Sequence, residues 1–365
     1  MIGVADVRVD AEMEAEVLAV LRSGQLAQGP SVATFEKEIG SLTGAAHAVA
    51  VSSGTTALVA ALSAHGIGPG DEVVTSPFTF AATLNAILQV GATAVFADID
   101  RDFVIEPAAV AAQVTPATAA VLPVHLFGLP ADLIGIEAIA DRHGLAVIED
   151  AAQALGASAA GHDIGADGTS CFSFYATKSL TTGEGGMVTT SSEAVAEHVR
   201  ILRNQGMAGR YDYVMPGRNY RMTDLQAALG IPQARRFREV VAARTANAAQ
   251  LTAGLADVEG IRLPRGVVAD RTHAWHQYTI AVTDAARLDR DALLVGLAER
   301  GINAAVFYPR PCYDYACYLD HERVVRSDLP AAVEAGRTVL SLPVHQHLTR
   351  ADIEQVIAAM RDVLC

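Results

Sequence analysis

The sequence predicts an α/β protein, with a large domain built on a mainly parallel, doubly wound sheet and a smaller α+β domain after it. Two observations carry this prediction. Short apolar runs alternate with amphipathic stretches between about residues 45 and 190, and longer helical segments take over after Gly217. The chain has 365 residues, of which 51% are hydrophobic and 19% are charged, so it can bury a core of this size.

The predicted strands are rich in valine and isoleucine and mostly lack alternation, as strands that are buried on both faces do. They are His47–Ser52, Glu72–Thr75, Ala94–Ala97, Ala119–Val124, Leu145–Glu149, Cys171–Tyr175 and Met187–Thr190. The helices predicted between them are Thr55–His65, Ala81–Val90, Pro107–Val114 and Ala131–His143. Glycine or proline separates each helix from the next strand, and such strand–helix alternation predicts parallel pairing.

The C-terminal third follows a different pattern. Residues Thr223–Leu255 predict a long helix that breaks at Pro232, because proline lacks the N–H group that a helix interior requires. The segments that predict a smaller α+β domain are His276–Val282, Arg287–Arg300 and Ala304–Tyr308. We therefore predict a large domain over residues 1–235 and a small domain over residues 236–365.

The composition argues against several classes of protein. The formal net charge is −14 and the pI is near 5.2, which does not suit a nucleic-acid partner. We see no signal-peptide pattern, and no uncharged apolar stretch approaches the roughly 18 residues of a membrane span, so we expect a cytoplasmic protein without membrane association. No CxxC pair is present, and we expect neither a metal site nor a disulfide framework from the four cysteines Cys171, Cys312, Cys317 and Cys365.

Polar residues directly follow the predicted strands, and in folds of this kind ligands bind at the carboxyl ends of strands. The segment VSSGTTAL, residues 51–58, reads as a strand, a turn and a helix start whose free N–H groups suit a phosphate. Gly54 lets the backbone approach closely, and Thr55 or Thr56 can add a hydroxyl group. Simple helix capping by serine and threonine is the other interpretation of this segment. The glycine fingerprint of dinucleotide-binding dehydrogenases is missing here.

A carboxylate and a lysine follow two further strands. The segment LAVIEDAAQALGA ends a buried strand in Glu149 and Asp150, which could cap a helix, bind a metal or pair with a protonated ring nitrogen. Lys178 follows the next strand among small residues. Most lysines simply reach solvent from a loop, but a desolvated one becomes a nucleophilic amine. Together, a phosphate cradle, a strand-end aspartate and a lysine meet the requirements of pyridoxal phosphate.

With those residues in place, the chain resembles the fold-type I pyridoxal-phosphate enzymes, and more narrowly the DegT/DnrJ-type sugar aminotransferases, which aminate keto sugars on nucleotide carriers. The motifs run in order through nearly the whole chain: SGTTAL, SPFTFAATLNAI, VFADID, PVHLFG, IEDAAQALGA, FSFYATKSLTTGEGG, RNQGM and GRNYRMTDLQAALG. The resemblance implies an aspartate-aminotransferase-like large domain and a homodimer with shared active sites.

The resemblance also implies a role for each matched residue. Lys178 would bond covalently to the cofactor aldehyde and then move the substrate α-proton, and Asp150 would pair with the pyridinium nitrogen. Gln153 would hydrogen-bond the 3-hydroxyl oxygen of the ring, and Phe80 would stack on its face. The phosphate would be held by Gly54, Thr55, Thr56 and Ser173, and by Asn219 from a second subunit, with Arg221 as a further candidate for that task.

The substrate side is less defined. His125 follows a strand and contacts the cofactor or substrate, or else it is a structural histidine. His276 and Tyr308 lie where the small domain would close over the crevice. Tyr313 and Gln205 stand where relatives commonly have histidine, which would make the substrate unusual.

The resemblance implies that L-glutamate, or glutamine, donates an amino group that a nucleotide-linked 3- or 4-keto hexose then accepts. A keto-cyclitol such as an inosose is the alternative acceptor. Two other functions are a pyridoxal-phosphate-dependent sugar dehydratase and a non-catalytic regulator that binds the cofactor. Lys178 argues against the dehydratase, in which histidine replaces the lysine.

Overall fold

The computed structural model describes residues 1–364, and Cys365 lies outside the described residues. The α-helices are α1 (Ala11–Ser23), α2 (Pro30–Thr43), α3 (Gly54–Ala64), α4 (Ala81–Gln89), α5 (Pro107–Gln113), α6 (Leu133–His143), α7 (Glu193–Arg203), α8 (Asp224–Arg235), α9 (Phe237–Leu255), α10 (Arg290–Glu299), α11 (Pro330–Thr338) and α12 (Arg350–Leu364). A short 3₁₀ turn spans Leu126–Gly128. Within residues 1–364, no helix combines the length and apolar character that a membrane crossing needs.

The strands are mostly short. They are β1 (Ile2–Gly3), β2 (His47–Val51), β3 (Glu72–Thr75), β4 (Thr93–Phe96), β5 (Thr118–Leu122), β6 (Ala146–Val147), β7 (Glu149–Asp150), β8 (Ser158–Ala159), β9 (His162–Asp163), β10 (Thr169–Ser173), β11 (Gly186–Thr190), β12 (Met207–Gly209), β13 (Asp212–Tyr213), β14 (Ile261–Arg262), β15 (Val267–Val268), β16 (Arg271–Thr272), β17 (Tyr278–Val282), β18 (Ile302–Asn303), β19 (Val324–Val325) and β20 (Val339–Leu342). The strand predicted over Leu145–Glu149 is divided into β6 and β7 at Ile148.

Two groups of strands form the central sheet. One has the order β2-β11-β10-β7 and the other β19-β4-β3-β5-β6. A parallel bridge between Val124 and Asp150 joins them. Pairing is parallel throughout the second group and between β10 and β7, whereas β11 runs antiparallel to both its neighbours. The predicted α/β fold with a mainly parallel sheet is confirmed.

Both faces of this sheet are buried. Val73 and Leu122 face one hydrophobic core, and their chain neighbours Val74 and Val121 face another. Successive side chains of a strand point to opposite faces, so each face must be apolar when helices cover both. This double burial explains why the strands of the sequence lack alternation.

The predicted helix break at Pro232 is wrong. Pro232 lies inside α8, and the chain breaks instead at Arg236, which has φ −110° and ψ 13°. The start of α8 is fixed by a capping box in which Thr223 and Gln226 satisfy each other's backbone N–H groups. The helix packs against α1 and α2 with Pro232 buried, so tertiary packing outweighs the local cost of the proline.

A further core lies in the C-terminal part of the chain. It is built from the antiparallel sheet β14-β17-β20 together with α9, α10 and α12. The N-terminal strand β1 also belongs here, because it pairs in parallel with β18. Helix α9 contributes Phe237 to the core around α8 and Leu251 to the C-terminal core. The division into domains at residues 235 and 236 stays a prediction.

Candidate active site

A cavity of about 610 Å³ lies at the carboxyl ends of the parallel strands. Its wall is formed by residues that follow β2, β3, β7 and β10, and by two segments of the C-terminal part. The predicted site residues that line it are Gly54, Thr55, Phe80, Asp150, Gln153, Ser173, Lys178, His276 and Tyr308. The topology therefore brings together residues that lie far apart in the sequence.

Lys178 lines this cavity from the loop between β10 and β11. Among residues 1–364, its side chain has neither an ion pair nor a hydrogen-bond partner. Burial lowers the pKa of Lys178 from about 10.5 to about 8, and the negative charge of Asp150 offsets part of that effect. An amine with this pKa is partly unprotonated near neutral pH, so it can act as a nucleophile and as a base.

Asp150 is a buried carboxylate at the end of β7. Thr83 Oγ1 donates a hydrogen bond of 2.7 Å to its Oδ2, and the Ala152 N–H donates one of 3.2 Å to its Oδ1. Because Thr83 commits its proton to Asp150, it accepts the hydroxyl proton of Thr79 at 2.8 Å. Burial raises the pKa of Asp150, while the bonds from Thr83 and Ala152 and the charge of Lys178 oppose the rise. No cation of the described chain pairs with Asp150, and a protonated ring nitrogen would compensate its charge.

The start of α3 faces the same cavity. Ser53 caps the helix, accepting the Thr56 N–H at 3.1 Å, and the Thr56 hydroxyl accepts the Ser53 N–H at 2.9 Å. Thr56 is thus engaged in capping, whereas Gly54 and Thr55 line the cavity. A Cβ atom at Gly54 would lie 2.7 Å from Cβ of Ser173, so the helix start and the end of β10 meet closely. Helix N–H groups beside a serine hydroxyl form an anion site.

Gln153 and two aromatic residues border the space between these groups. The Phe127 N–H donates to Gln153 Oε1 at 2.6 Å, so the Gln153 NH₂ group remains for the cavity and lies 3.4 Å from the Tyr308 hydroxyl. Phe80 is 61% exposed, and its ring centre lies 6.0 Å from that of Tyr308. Burial and the nearby charge of Asp150 raise the pKa of Tyr308, which keeps its phenol protonated.

His276 enters the cavity from the turn before β17. Burial, with the charges of Lys178 and Arg244, lowers the pKa of His276 well below its usual range. The imidazole is therefore neutral at physiological pH, and it can donate or accept a hydrogen bond without carrying a charge.

His125 does not line the cavity. Its ring is buried, with Nε2 2.8 Å from Glu149 Oε2, and its Nδ1 accepts the Ala131 N–H at 3.1 Å. Because Nδ1 accepts a backbone proton, the ring proton is on Nε2 and points to Glu149. Both ring nitrogens are satisfied within the protein, as the structural interpretation of His125 requires.

Tyr313 also lies away from the cavity. Its ring is buried against Phe96, with ring centres 4.9 Å apart, and the guanidinium group of Arg326 lies 5.4 Å from its centre. The segment that carries Tyr313 is drawn toward the sheet because the Cys312 N–H donates to Pro77 O at 2.8 Å. The structure does not bring Tyr313 to the substrate side.

Asn219 and Arg221 lie outside the cavity of their own chain. Asn219 is exposed and bridges Asn204 through the backbone, and Arg221 Nη1 donates to Asn204 Oδ1 at 3.0 Å. An exposed position is what a residue serving a second subunit needs. That role stays a prediction.

Other residues line the cavity although the sequence predicts no particular role for them. The main ones are Val4, Ala5, Thr79, Tyr175, Thr177 and Gln277. Val4 and Ala5 follow β1, which reaches the site only through its pairing with β18, so no local pattern marks them. Gln277 does carry a signal, since it directly follows His276.

A free amine, a carboxylate without a cation and an anion-binding helix start, set around one cavity, fit the chemistry of pyridoxal phosphate. The protein is a fold-type I enzyme of that cofactor. More narrowly, the chain belongs to the DegT/DnrJ/EryC1/StrS aminotransferase family, whose model matches residues 7–361. It is a pyridoxal-phosphate-dependent sugar aminotransferase.

The similarity to known proteins extends over nearly the full length of the chain. The spore coat polysaccharide biosynthesis protein SpsC of Bacillus subtilis (strain 168) is 41% identical, over 96% of this chain and 93% of its own. The structure of S. venezuelae DesV with a ketimine intermediate has a TM-score of 0.92 and 39% identity, over 96% of this chain and 94% of DesV. DesI, solved in the presence of its TDP-sugar product, has a TM-score of 0.89 and 31% identity, over 99% of this chain and 92% of DesI.

Proposed function

We propose that this protein transfers an amino group from L-glutamate, or from glutamine, to the ketone of a nucleotide-linked 3- or 4-keto hexose. The observation that carries the proposal is that Lys178, which has no partner within residues 1–364, and buried Asp150 line the same cavity. The likeness to DesI, which was solved with a TDP-sugar product, supports a nucleotide-linked acceptor. A cytoplasmic location stays a prediction.

Pyridoxal phosphate, when bound, supplies an aldehyde that carries the amino group and a ring that withdraws electrons from the substrate. Lys178 Nζ takes the proton from the α-carbon of the amino donor, which its lowered pKa allows. In the second half of the reaction, the same nitrogen returns a proton to the carbon that is being aminated. Asp150 would stay ionised and hold the ring nitrogen in its protonated form.

The other residues hold and orient the cofactor in this proposal. The Gln153 NH₂ group would hydrogen-bond the 3-hydroxyl oxygen, and Phe80 would pack on the ring. Gly54, Thr55 and Ser173 bind the phosphate. Asn219 of a second copy completes the phosphate site, with Arg221 as the other candidate, so the proposal includes a homodimer.

Covalent trapping tests the central assignment sharply, because Lys37 and Lys178 are the only lysines of the chain. Lys37 is exposed on α2 and serves as an internal control. Borohydride reduction of the loaded enzyme, followed by peptide mass mapping, should place the cofactor mass on the peptide containing Lys178. An adduct at Lys37 alone, or none, would contradict the assignment.

The two halves of the reaction can be followed by the visible absorption of the cofactor. L-Glutamate should remove the band, and a keto sugar that accepts the amine should restore it. A panel of dTDP-, UDP- and GDP-linked keto hexoses, with an inosose alongside, identifies the acceptor class. A band that never responds to glutamate or glutamine would instead favour a dehydratase or a non-catalytic protein.

A further inference from the structure

Arg244 is a buried arginine of α9 that has only neutral partners. The residue is 4% exposed. Its Nη1 donates to the carbonyl oxygens of Trp275 at 2.9 Å and His276 at 3.2 Å, and its Nε donates to Gln346 Oε1 at 3.1 Å. Within residues 1–364, no carboxylate forms an ion pair with it. Buried charges are normally paired, because an uncompensated one destabilises the folded protein. An anionic ligand would supply the counter-charge that Arg244 lacks.

This charge lies directly behind the wall of the cavity, because Arg244 is bonded to the backbone of His276, which lines it. Burial lowers the pKa of Arg244 to about 10, so the guanidinium group stays charged near neutral pH. Neither ring nitrogen of His276 has a partner within residues 1–364, and both keep accessible surface. A neutral imidazole donates from one nitrogen and accepts at the other. The wall therefore offers one N–H donor in front of a fixed positive charge.

The charges around His276 restrict what it can bind. Lys178 and Arg244 both act on its imidazole. They repel a substrate ammonium group, which could otherwise donate to the accepting nitrogen. A neutral hydroxyl group could bind either nitrogen, but it would leave the charge of Arg244 uncompensated. A carboxylate meets both conditions, because it accepts the N–H and supplies the counter-charge.

The closeness to Lys178 indicates which anion this is. In the proposed function, Lys178 takes a proton from the α-carbon of the amino donor, and the α-carboxylate is bonded to that same carbon. The diphosphate of a nucleotide-linked acceptor is separated from the ketone carbon by ring carbons and the C1 oxygen. The cofactor phosphate has its own proposed site at Gly54, Thr55 and Ser173. The α-carboxylate of the donor is thus the anion that reaches His276.

We propose that Arg244 is a positioning residue for the amino donor: it fixes the turn that carries His276, and its charge makes the His276 N–H the binding point for the donor's α-carboxylate. This inference rests on the proposed function. It applies to L-glutamate and glutamine alike, since both carry that carboxylate. Arg244 contacts no ligand itself, and it acts in the first half of the reaction.

Two substitutions of Arg244 separate its charge from its hydrogen bonds. Arg244→Gln removes the charge and keeps an NH₂ donor, whereas Arg244→Lys keeps the charge. In Arg244→Gln, the KM of L-glutamate should rise roughly 10-fold, because a hydrogen bond to a charged group is weakened, while the KM of the keto sugar stays unchanged. 2-Methyl-L-glutamate has no α-proton to lose, so its Kd, read from the visible band without turnover, should rise by the same factor. Arg244→Lys should stay near wild type, as should Arg238→Gln, which removes an exposed arginine of α9.

A second pair of variants tests the same binding point without disturbing Arg244. His276→Phe removes the N–H donor and should also weaken binding of 2-methyl-L-glutamate, whereas His276→Gln, whose amide donates, should keep most of the affinity. An unchanged Kd in Arg244→Gln would overturn the inference alone. So would an equal loss in Arg244→Gln and Arg244→Lys, or an equal loss for donor and keto sugar, because a structural role predicts both. A wild-type enzyme whose visible band never responds to glutamate or glutamine would contradict the proposed function, and this inference with it.

Discussion

At the scale of single residues, the lowered pKa of Lys178 makes the stability of the folded protein depend on pH. Its pKa in the folded protein is about 8, against about 10.5 unperturbed. Between these values the unfolded chain binds more protons than the folded one, so the contribution of Lys178 to stability rises with pH, by at most about 1.4 kcal/mol per pH unit. We expect the free energy of unfolding of the cofactor-free protein, minus that of Lys178→Met, to increase from pH 8 to pH 10. The subtraction cancels the contributions of other titrating groups. A difference in unfolding free energy that stays constant from pH 8 to pH 10 would refute the prediction.

Thr83 supports Asp150 through one hydrogen bond of 2.7 Å. Thr83→Val keeps the shape of the side chain and removes that donor. The pKa of Asp150 should then rise further, and kcat for transamination should fall roughly 10-fold, because a bond to a charged group is lost. The acid limb of the pH–rate profile should move to higher pH. Thr245→Val, on the exposed side of α9, is the control, and an unchanged profile in Thr83→Val would count against the supporting role.

The residues whose placement the sequence predicts are those at strand ends. Lys178, Asp150 and Gly54 lie at the carboxyl ends of β10, β7 and β2, which run in the same direction. Strands β7 and β10 pair in parallel, and β2 shares their direction because β11 is antiparallel to both β2 and β10, so the three residues lie at one edge of the sheet. Thr83 could not be selected this way, because its importance depends on a side-chain contact with Asp150, which lies on a distant segment. Tyr313 could not be placed from the sequence. Its match to a position where relatives have histidine does not determine which way its segment packs.

At the scale of elements, the contact between α3 and β10 shapes the phosphate site. A Cβ atom at Gly54 would meet Ser173 at 2.7 Å, so Gly54→Ala must push the helix start away from the strand. We expect a loss of about 1–3 kcal/mol in stability and weaker cofactor binding, since the helix N–H groups move. Thermal melting and cofactor titration measure the two effects. Gly68→Ala is the control, because the atom nearest to the added Cβ, Val90 O, lies 3.8 Å away.

The sequence predicts a strand best where both of its faces are buried, because such a strand appears as a continuous apolar run. The strands β3, β4 and β11 and the helices α3 and α4 lie within a few residues of their predicted bounds. The break at Pro232 was not predictable from propensity, because packing of α8 against α1 and α2 sustains the helix. The pairing of β1 with β18 joins the first residues of the sequence to its C-terminal part, and neither segment carries a pattern that reveals its partner.

At the scale of the whole molecule, the surface near Asn219 favours a second copy. The hairpin of β12 and β13 exposes large side chains, with Tyr211 at 72%, Tyr213 at 60% and Val214 at 57% exposure. Exposed apolar groups that cluster in this way mark interaction surfaces.

Asn219 follows this hairpin, and Tyr220 O accepts the Ser52 N–H at 2.8 Å next to the start of α3. The segment thus lies at the edge of the cavity while Asn219 itself faces outward.

If Asn219 serves the partner's phosphate site, two inactive variants should restore each other. Lys178→Ala removes the reactive amine and Asn219→Ala weakens phosphate binding, so each homodimer should be impaired at limiting cofactor. In a mixed dimer, one site combines an intact Lys178 with an intact Asn219 from the other subunit. Co-expressed and purified mixed dimers should recover up to about half of the wild-type activity per dimer, because one of their two sites is whole. Mixed dimers that are no more active than the Asn219→Ala homodimer would show that each subunit builds its phosphate site alone.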